Sequence, residues 1–430
     1  MELIINNIAK IKHADIDLNG ITVIAGNNDT GKSTIGKVLF AMFNSMNGIE
    51  QKLSEEKKAT LTRNFISIIE SNLSSKKDMS FFLLRRRFNI NKIVDTLESD
   101  STMEVLVEVL NDFLSDKFEY TDSEINDISK KIKAEYKRVS EIPNAKVIQT
   151  IVSRYFNEVF DGQINSLRNE TVQTSSVELI IKGKKIKNSF AAGICDEINQ
   201  ELEITKKAIY IDNPFILDNL QDSEFGAYVD NYLQNILMQQ KDVALEKGVY
   251  DSVDIKEKLA SVESILNNVI NGTIVEKDYD LVLNKEGFKD DIHLQNVSTG
   301  LKSFILLKLL LQKQILTYKD VLVLDEPEIH LHPEWQLKYA EAIVLLQKVF
   351  DLNIVITTHS PTFLEAIDIY SKMHSINDKC SYYLSKDSDV PSMSEFDNVT
   401  KSLDKVYKSL VTPTMALMRI REDLELREDD

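Results

Sequence analysis

The chain has 430 residues, 43% of them hydrophobic and 28% charged, which excludes global disorder and allows a large buried core. Only 13 residues are glycine and 7 are proline, so collagen-like, linker-rich and most turn-rich all-β designs are excluded as well. The net charge of −17 excludes a general basic coat for nucleic acid, although a local basic groove stays open.

The cysteines and the N-terminal segment indicate the compartment. Two cysteines, Cys195 and Cys380, cannot build a disulfide framework, and they fit a reducing cytosol. The N-terminal residues alternate between apolar and polar and lack the apolar stretch of a signal peptide. No apolar run approaches the ~18 residues of a membrane span. We therefore expect a cytoplasmic protein without a membrane partner.

The first predicted elements are short strands at Leu3–Ile5, Ile16–Leu18 and Ile21–Ala25, followed by a glycine-containing loop and a helix. From residue 51 to 169 the pattern changes to charged helical stretches with apolar residues three and four apart. Farther on, a hairpin is predicted at 177–187 with its turn at Gly183, a strand at 208–212, helices within 216–270, and a second hairpin at 279–294 around Gly287.

From Asn296 strands and helices alternate, which favours a mostly parallel sheet with helices on its faces. The predicted order is a helix at Leu301–Leu316, a strand at Val321–Leu324, a helix at Glu334–Phe350 and a strand at Asn353–Thr357. Two helices, at 398–410 and 414–427, are predicted near the acidic end. The fold class expected from this pattern is α/β.

A glycine-rich motif lies where the third strand meets a helix. GNNDTGKS fully matches GxxxxGK[ST], in the strand–loop–helix context that a phosphate-binding P-loop requires. Glycines let the backbone wrap around phosphate, Lys32 adds a point charge for the β- and γ-phosphates, and the Ser33 hydroxyl is a ligand for Mg²⁺. The residues expected to bind ATP are Gly26, Asn27, Asn28, Asp29, Thr30, Gly31, Lys32, Ser33 and Thr34.

Two further buried strands end in side chains of catalytic type. In VLVLDEP, Asp325 is expected to complete the Mg²⁺ shell with Ser33, and Glu326 to orient or deprotonate the attacking water. In IVITTHS, His359 ends the next strand, where we expect it to contact the γ-phosphate. The alternative for His359 is a structural side chain with its hydrogen bonds satisfied.

A fourth motif, VSTGLK, opens the helix at 301–316. Ser298 could simply cap that helix. The functional interpretation is a second phosphate-binding surface, made by Ser298, Thr299, Gly300 and Lys302.

These four motifs, in this order, resemble those of ATP-binding cassette ATPases, and more narrowly the branch with SMC-type, DNA-repair and OLD-type proteins. The stretch from Glu328 to Pro333 is similar to the D-loop of that branch. The resemblance implies a P-loop NTPase head with a mixed and parallel sheet, ATP and Mg²⁺ as cofactors, and a head-to-tail homodimer or higher homo-oligomer. In such a dimer the signature of one subunit covers the γ-phosphate that the other holds.

Within that branch the chain resembles the ATPase subunits of Septu- and PARIS-type anti-phage systems, in which a separate nuclease or other effector is the partner. The ~70 residues after His359 are too short for the TOPRIM nuclease domain of OLD proteins, and the insertion is too short for SMC coiled coils. No Q-loop glutamine is identified, and the strand end at Asp212–Pro214 could occupy that place.

Two alternatives stay open. The first is a DNA repair or clamp ATPase that acts directly on DNA, and the second is the nucleotide-binding subunit of a transporter. Arg85–Arg87 in the insertion is either a solvated helix face or a contact with nucleic acid or an effector, and we expect the insertion to dock a partner protein. The expected segments are the head's N-terminal part (1–48), the helical insertion (49–172), a hairpin and strand returning to the head (173–215), a helical segment (216–270), the head's C-terminal part (271–385) and a helical tail (386–430).

Overall fold

The structure is a computed structural model that describes residues 1–72, 90–99, 102–114, 120–165, 174–218, 220, 228–238, 249–277 and 280–428. By their contacts these residues form two compact units. One comprises Met1–Asn47 with Val152–Asp430, and the other comprises Gly48–Ile151. Arg85–Arg87 lie outside the described residues.

The strands in chain order are β1 (Glu2–Ile8), β2 (Ile11–Asp17), β3 (Ile21–Ala25), β4 (Ser175–Ile181), β5 (Lys184–Ala191), β6 (Ile194–Gln200), β7 (Ala208–Ile211), β8 (Thr273–Lys277), β9 (Asp280–Asn284), β10 (Ile292–His293), β11 (Val321–Asp325), β12 (Asn353–Thr358), β13 (Cys380–Asp387) and β14 (Ser394–Asn398). The helices are α1 (Lys32–Met46), α2 (Ile49–Asn72), α3 (Ile90–Glu98), α4 (Met103–Leu114), α5 (Asp122–Ser140), α6 (Asn144–Phe160), α7 (Tyr228–Met238), α8 (Val249–Ile270), α9 (Thr299–Gln312), α10 (Pro333–Phe350), α11 (Pro361–Met373) and α12 (Leu403–Glu428).

The larger unit is built on an eleven-stranded sheet of order β6-β5-β4-β1-β2-β14-β13-β3-β12-β11-β7. Its β13-β3-β12-β11-β7 half is parallel throughout, whereas β6-β5-β4-β1-β2 is antiparallel. Parallel pairing brings the carboxyl ends of β3, β12, β11 and β7 to one edge of the sheet. Ala25 pairs with Thr358, Asp325 with Thr357, and Leu324 with Ile211. The expected α/β class with a mixed and parallel sheet is confirmed.

The central parallel strands are buried because helices cover both of their faces. Leu322 and Leu324 belong to one large apolar cluster that also contains residues of α9, α10 and α11. On the opposite face α1 lies directly against the sheet. A Cβ atom placed on Gly36 would come within 2.5 Å of Val323 Cγ1 and 2.9 Å of Tyr210 Cε2. Gly36 therefore allows an approach that no side chain would permit.

The smaller unit is helical and has its own apolar core. Buried residues three and four apart on α2, α4 and α5 form it, including Phe65, Leu110 and Ile128. The helix α5 begins with a capping box, in which the Thr121 side chain accepts from the backbone of Glu124 and the Glu124 carboxylate accepts from Thr121. The helical interpretation of this block holds for its described residues.

The predicted second hairpin around Gly287 is confirmed as β9 and β10, and an unpredicted strand, β8, also pairs with β9 to make a three-stranded sheet. One expectation needs correction. The division of the last helical region into 398–410 and 414–427 is wrong, since α12 runs continuously through Pro413. A proline removes one helical hydrogen bond, but the bonds on either side can continue the helix.

Candidate nucleotide-binding and hydrolysis site

The P-loop joins β3 to α1 through backbone conformations that suit an anion. Gly26, Asp29 and Gly31 have φ of 146°, 64° and 78°. A Cβ atom on Gly26 would lie 1.7 Å from Ser385 Oγ, so only glycine fits there. Gly31 precedes α1 without a side-chain cap, which leaves the first N–H groups of that helix open to a phosphate.

The side chain of Lys32 is fixed against the P-loop. Lys32 is 3% exposed, and its Nζ donates a 2.6 Å hydrogen bond to the Asn27 carbonyl oxygen. Burial lowers the pKa of Lys32, while the carboxylates of Glu326, Asp325 and Glu328 oppose that shift. The acidic neighbours therefore help to keep the ammonium charged until phosphate arrives.

A cavity of about 380 Å³ opens over the P-loop. Sequence reasoning missed one of its lining residues, Lys10, which lies in the β1–β2 turn and forms an ion pair with Asp29. A lone lysine in a turn gives no sequence signal. The lining residues are Lys10, Asn28, Asp29, Thr30, Gly31, Lys32, Ser33, Thr34 and Glu326.

Asp325 is fixed by three hydroxyl donors. Ser33 Oγ lies 3.0 Å from Oδ1, Thr357 Oγ1 also donates to Oδ1, and the Tyr210 hydroxyl donates to Oδ2 at 2.6 Å. Neighbouring ligands of an octahedral Mg²⁺, each ~2.1 Å from the ion, are about 3 Å apart. The spacing of Ser33 Oγ and Asp325 Oδ1 thus fits two adjacent Mg²⁺ ligands, with phosphate and water left to fill the shell.

Glu326 adopts a left-handed backbone conformation with φ of 49°. Its N–H donates to Thr357, to the carbonyl oxygen at 3.2 Å and to Oγ1 at 2.9 Å, which compensates for the strain of this conformation. Glu326 also lines the P-loop cavity. The left-handed turn therefore places a carboxylate next to the phosphate site.

His359 meets that carboxylate, with Nε2 2.8 Å from Glu326 Oε1. Burial and then the charge of Lys32 lower the pKa of His359, although Glu326 and Asp325 act in the other direction. A lowered pKa keeps the imidazole neutral near pH 7, able both to donate and to accept a hydrogen bond. The structure thus brings together Lys32, Ser33, Asp325, Glu326 and His359 at one sheet edge.

Asp212 follows β7 at the same edge, beside the strand that carries Asp325. Asp212 keeps solvent access on one side, but the surrounding protein and the charges of Asp230 and Asp325 raise its pKa to about 6. That Asp212–Pro214 could occupy the place of a Q-loop stays a prediction.

The signature residues separate into two groups. Ser298 is exposed at the N-terminus of α9 and makes no side-chain capping bond. Thr299 is half-buried, and Gly300 packs closely, since a Cβ there would come within 2.8 Å of the His330 carbonyl oxygen. Lys302 is 2% exposed, and its Nζ lies 2.5 Å from Asp218 Oδ1 of its own chain. The ammonium of Lys302 is therefore not presented beside Ser298, and its contact with a second subunit stays a prediction.

None of these four residues lines the P-loop cavity in the described part of their own chain. Likewise, among described residues, no group of three or more His, Cys, Asp or Glu side chains is arranged to hold a metal ion. Across the described helices, none combines the length and apolar character needed to cross a membrane.

Comparisons with known proteins agree with the motifs. The chain is 25% identical over 221 residues to the Septu protein PtuA of Bacillus thuringiensis, a match that covers 48% of this chain and 50% of the relative. It is 21% identical over 408 residues to the retron Vc95 probable ATPase of Vibrio cholerae serotype O1 biovar El Tor, which covers 84% of this chain and 69% of that protein. The chain thus spans about half the length of PtuA and about two thirds of the retron protein.

Solved SMC heads are similar over nearly the whole chain, at 12% identity. The SMC head domain from Thermotoga maritima matches 93% of this chain and 98% of its own with a TM-score of 0.36. The SmcHead bound to the C-winged helix domain of ScpA matches 94% and 98% with a TM-score of 0.45. With these TM-scores the solved structures carry no argument about the family of this chain.

Residues 1–364 match the AAA ATPase domain family. This match covers most of the chain and includes the P-loop, the signature, the Asp325–Glu326 pair and His359. The chain therefore belongs to the AAA ATPase domain family and is a P-loop ATPase, similar to a Septu protein and to a probable retron ATPase.

Proposed function

We propose that this ATPase binds Mg–ATP, dimerises head to tail around the nucleotide and uses hydrolysis to regulate a partner effector, a nuclease or toxin, in anti-phage defence in the cytoplasm. The observation that carries the catalytic part is the convergence of Lys32, Asp325, Glu326 and His359 at one edge of the parallel sheet. Each of them performs a task that phosphoryl transfer to water requires.

The N–H groups at the start of α1 and the Lys32 ammonium bind the β- and γ-phosphates. Ser33 and Asp325 would hold Mg²⁺, which would supply positive charge to neutralise the charge that develops on the phosphate oxygens. Glu326 accepts a proton from the attacking water, and His359, 2.8 Å from its Oε1, orients that carboxylate and contacts the γ-phosphate. The Tyr210 and Thr357 hydroxyls keep Asp325 in place throughout.

Two features support a dimer with the signature acting in trans. Ser298 leaves its hydroxyl unused by its own helix, and the signature residues do not line their own P-loop cavity. Beside the signature, Ile329 is 61% exposed in the segment that resembles a D-loop. A second copy of the chain would cover this apolar side chain and complete the phosphate site.

The defence role is supported by the similarity to a Septu protein and to a retron ATPase. A DNA repair or clamp ATPase is the alternative, and the net charge of −17 counts against it. No residue of the described site identifies the effector, so that part of the proposal rests on similarity.

The decisive experiment compares the wild type with Glu326→Gln. This change keeps the shape of the side chain and removes the base, so hydrolysis should slow by at least ~10²-fold while ATP still binds. Light scattering after size exclusion, at micromolar protein, should show an ATP-dependent dimer of the variant. A strictly monomeric variant with bound ATP would contradict the dimer, and hydrolysis at the wild-type rate would exclude Glu326 as the base.

A further inference from the structure

Glu328 is a buried carboxylate to which the roles above assign no task. Its residue is 5% exposed, and burial raises the pKa of its carboxyl group. In the described part of the chain its hydrogen-bond donors are neutral groups, and its Oε2 is buried with no hydrogen-bond partner. The charge of Lys32 interacts with this carboxylate, but among the described residues no cation bonds to it, so neutral donors have to offset the cost of burying it.

The other oxygen, Oε1, holds the turn that joins β12 to α11. It accepts from the Thr358 hydroxyl, from the His359 N–H at 3.0 Å and from the Ser360 N–H at 3.3 Å. Ser360 in turn caps α11 by accepting from the Phe363 N–H at 3.1 Å. One carboxylate oxygen therefore fixes three successive residues at the end of a buried strand.

His359 projects from this turn toward Glu326. Its ring nitrogen lies 2.8 Å from Glu326 Oε1, while its backbone N–H is bound by Glu328. Only Pro327, whose φ is locked by its ring, separates these two glutamates. One short segment thus contacts the same histidine twice, at the imidazole and at the backbone.

We infer that Glu328 is a positioning residue for hydrolysis, which sets His359 against Glu326 by anchoring the backbone of the β12–α11 turn. The inference rests on the roles proposed above for Glu326 and His359.

Three variants test this inference. Glu328→Leu keeps most of the volume and removes the acceptor, so kcat should fall about 10- to 100-fold, the scale of a misplaced catalytic group. The Kd for ATP should stay within about twofold, since Lys32 and Ser33 are untouched. Glu328→Gln retains an acceptor oxygen and should keep kcat within about threefold of the wild type. Glu341→Leu is the matched control, because Glu341 contacts His374 outside the site at 3.4 Å and its loss should leave kcat unchanged.

A double-mutant cycle separates positioning from general destabilisation. If Glu328 acts through His359, adding Glu328→Leu to His359→Ala should lower kcat by no more than about threefold further. The inference would be overturned if the fold-decreases in kcat of the two single variants multiplied in the double variant. A raised Kd for ATP in Glu328→Leu alone would overturn it as well. Should the leucine variant not fold, Glu328→Asp, which withdraws the carboxylate by one methylene, replaces it with the same expectations.

The cycle also distinguishes this inference from the proposed function. A slow His359→Ala together with a wild-type rate in Glu328→Leu would remove only the positioning role of Glu328. A wild-type rate in His359→Ala would remove the proposed role of the histidine, and the positioning role with it.

Discussion

The Tyr210 hydroxyl donates a 2.6 Å hydrogen bond to Asp325 Oδ2 from the neighbouring parallel strand. Tyr210 is 1% exposed, and burial together with the Asp325 charge raises its pKa well above the usual range, so it remains a donor at any physiological pH. The Asp325 carboxylate, the proposed Mg²⁺ ligand, is thereby held through Oδ2, the oxygen that Ser33 and Thr357 do not use.

We expect Tyr210→Phe to weaken the response to Mg²⁺ rather than the binding of ATP. Loss of one hydrogen bond to a charged acceptor lets Asp325 rotate, so the Mg²⁺ concentration for half-maximal hydrolysis should rise roughly 3- to 10-fold. A Mg²⁺ titration of the ATPase rate measures it. Tyr383→Phe is the control, because it removes a hydroxyl that accepts from the Asp17 N–H and the Asn398 side chain, outside the site. An unchanged Mg²⁺ response in Tyr210→Phe would show that Asp325 needs no support from β7.

Lys32→Ala should abolish nucleotide binding. The variant loses the buried ammonium beside the P-loop, and the Glu326, Asp325 and Glu328 charges that it balanced then repel the phosphates. Binding of a fluorescent ATP analogue should fall at least about tenfold, the scale of a lost charge-assisted bond. Lys348→Ala, on the far end of α10, removes an exposed lysine and should bind as the wild type does. Equal affinities of the two variants would place the nucleotide elsewhere.

Ser298→Arg should separate ATP binding from closure of the dimer. The bulky cation blocks the N-terminus of α9 from meeting phosphate, while the P-loop of the same chain is unchanged. The variant should bind ATP with wild-type affinity but hydrolyse it slowly. Mixed with Lys32→Ala, it forms heterodimers that have one site with both defects and one site with neither.

Activity or nucleotide binding at that intact composite site is the outcome expected if the signature acts in trans. The measurement is ATPase activity at a 1:1 ratio, compared with each variant alone. If Ser298→Arg alone hydrolyses ATP normally, Ser298 is only the residue that precedes α9.

The pH profile should report His359. Burial and the charge of Lys32 lower the pKa of His359 below its usual value of 6.5. Near and below pH 6.5 the folded protein therefore binds fewer protons at His359 than the unfolded chain does. The contribution of this group to the free energy of unfolding consequently falls as the pH drops. We expect kcat/KM to decline only below about pH 6.5, with the decline reduced in His359→Asn. A midpoint above pH 7 would be inconsistent with a neutral histidine at the site.

The motifs predicted which residues meet at the site because parallel strands end at one sheet edge. Lys32, Asp325 and His359 lie at or after the carboxyl ends of three buried strands. Such residues can be predicted to lie near one another even when the order of the strands in the sheet is unknown. Tyr210 and Thr357 were missed, since their contacts with Asp325 depend on the register of β7 and β12 against β11. No local pattern encodes that register.

Lys302 illustrates the opposite case. It was expected to belong to the signature, and that role stays a prediction, but packing decides where a lysine on the first turn of a helix points, and here its ammonium lies beside Asp218 and the ring of Phe215. The strand β8 was not predicted from the sequence either. Its residues are mostly exposed, so it lacks the buried face that would give an alternating apolar pattern.

The bare backbone of Gly36 has a mechanical consequence. At Gly36 no side chain of α1 stands between the helix and Val323 or Tyr210, so the helix that begins with Lys32 and Ser33 packs closely on the strand that ends at Asp325. We therefore expect helix and strand to move together. A conformational change that accompanies ATP turnover would then have its hinge outside α1 and β11. The phosphate-binding residues would keep their mutual positions while other parts of the protein move.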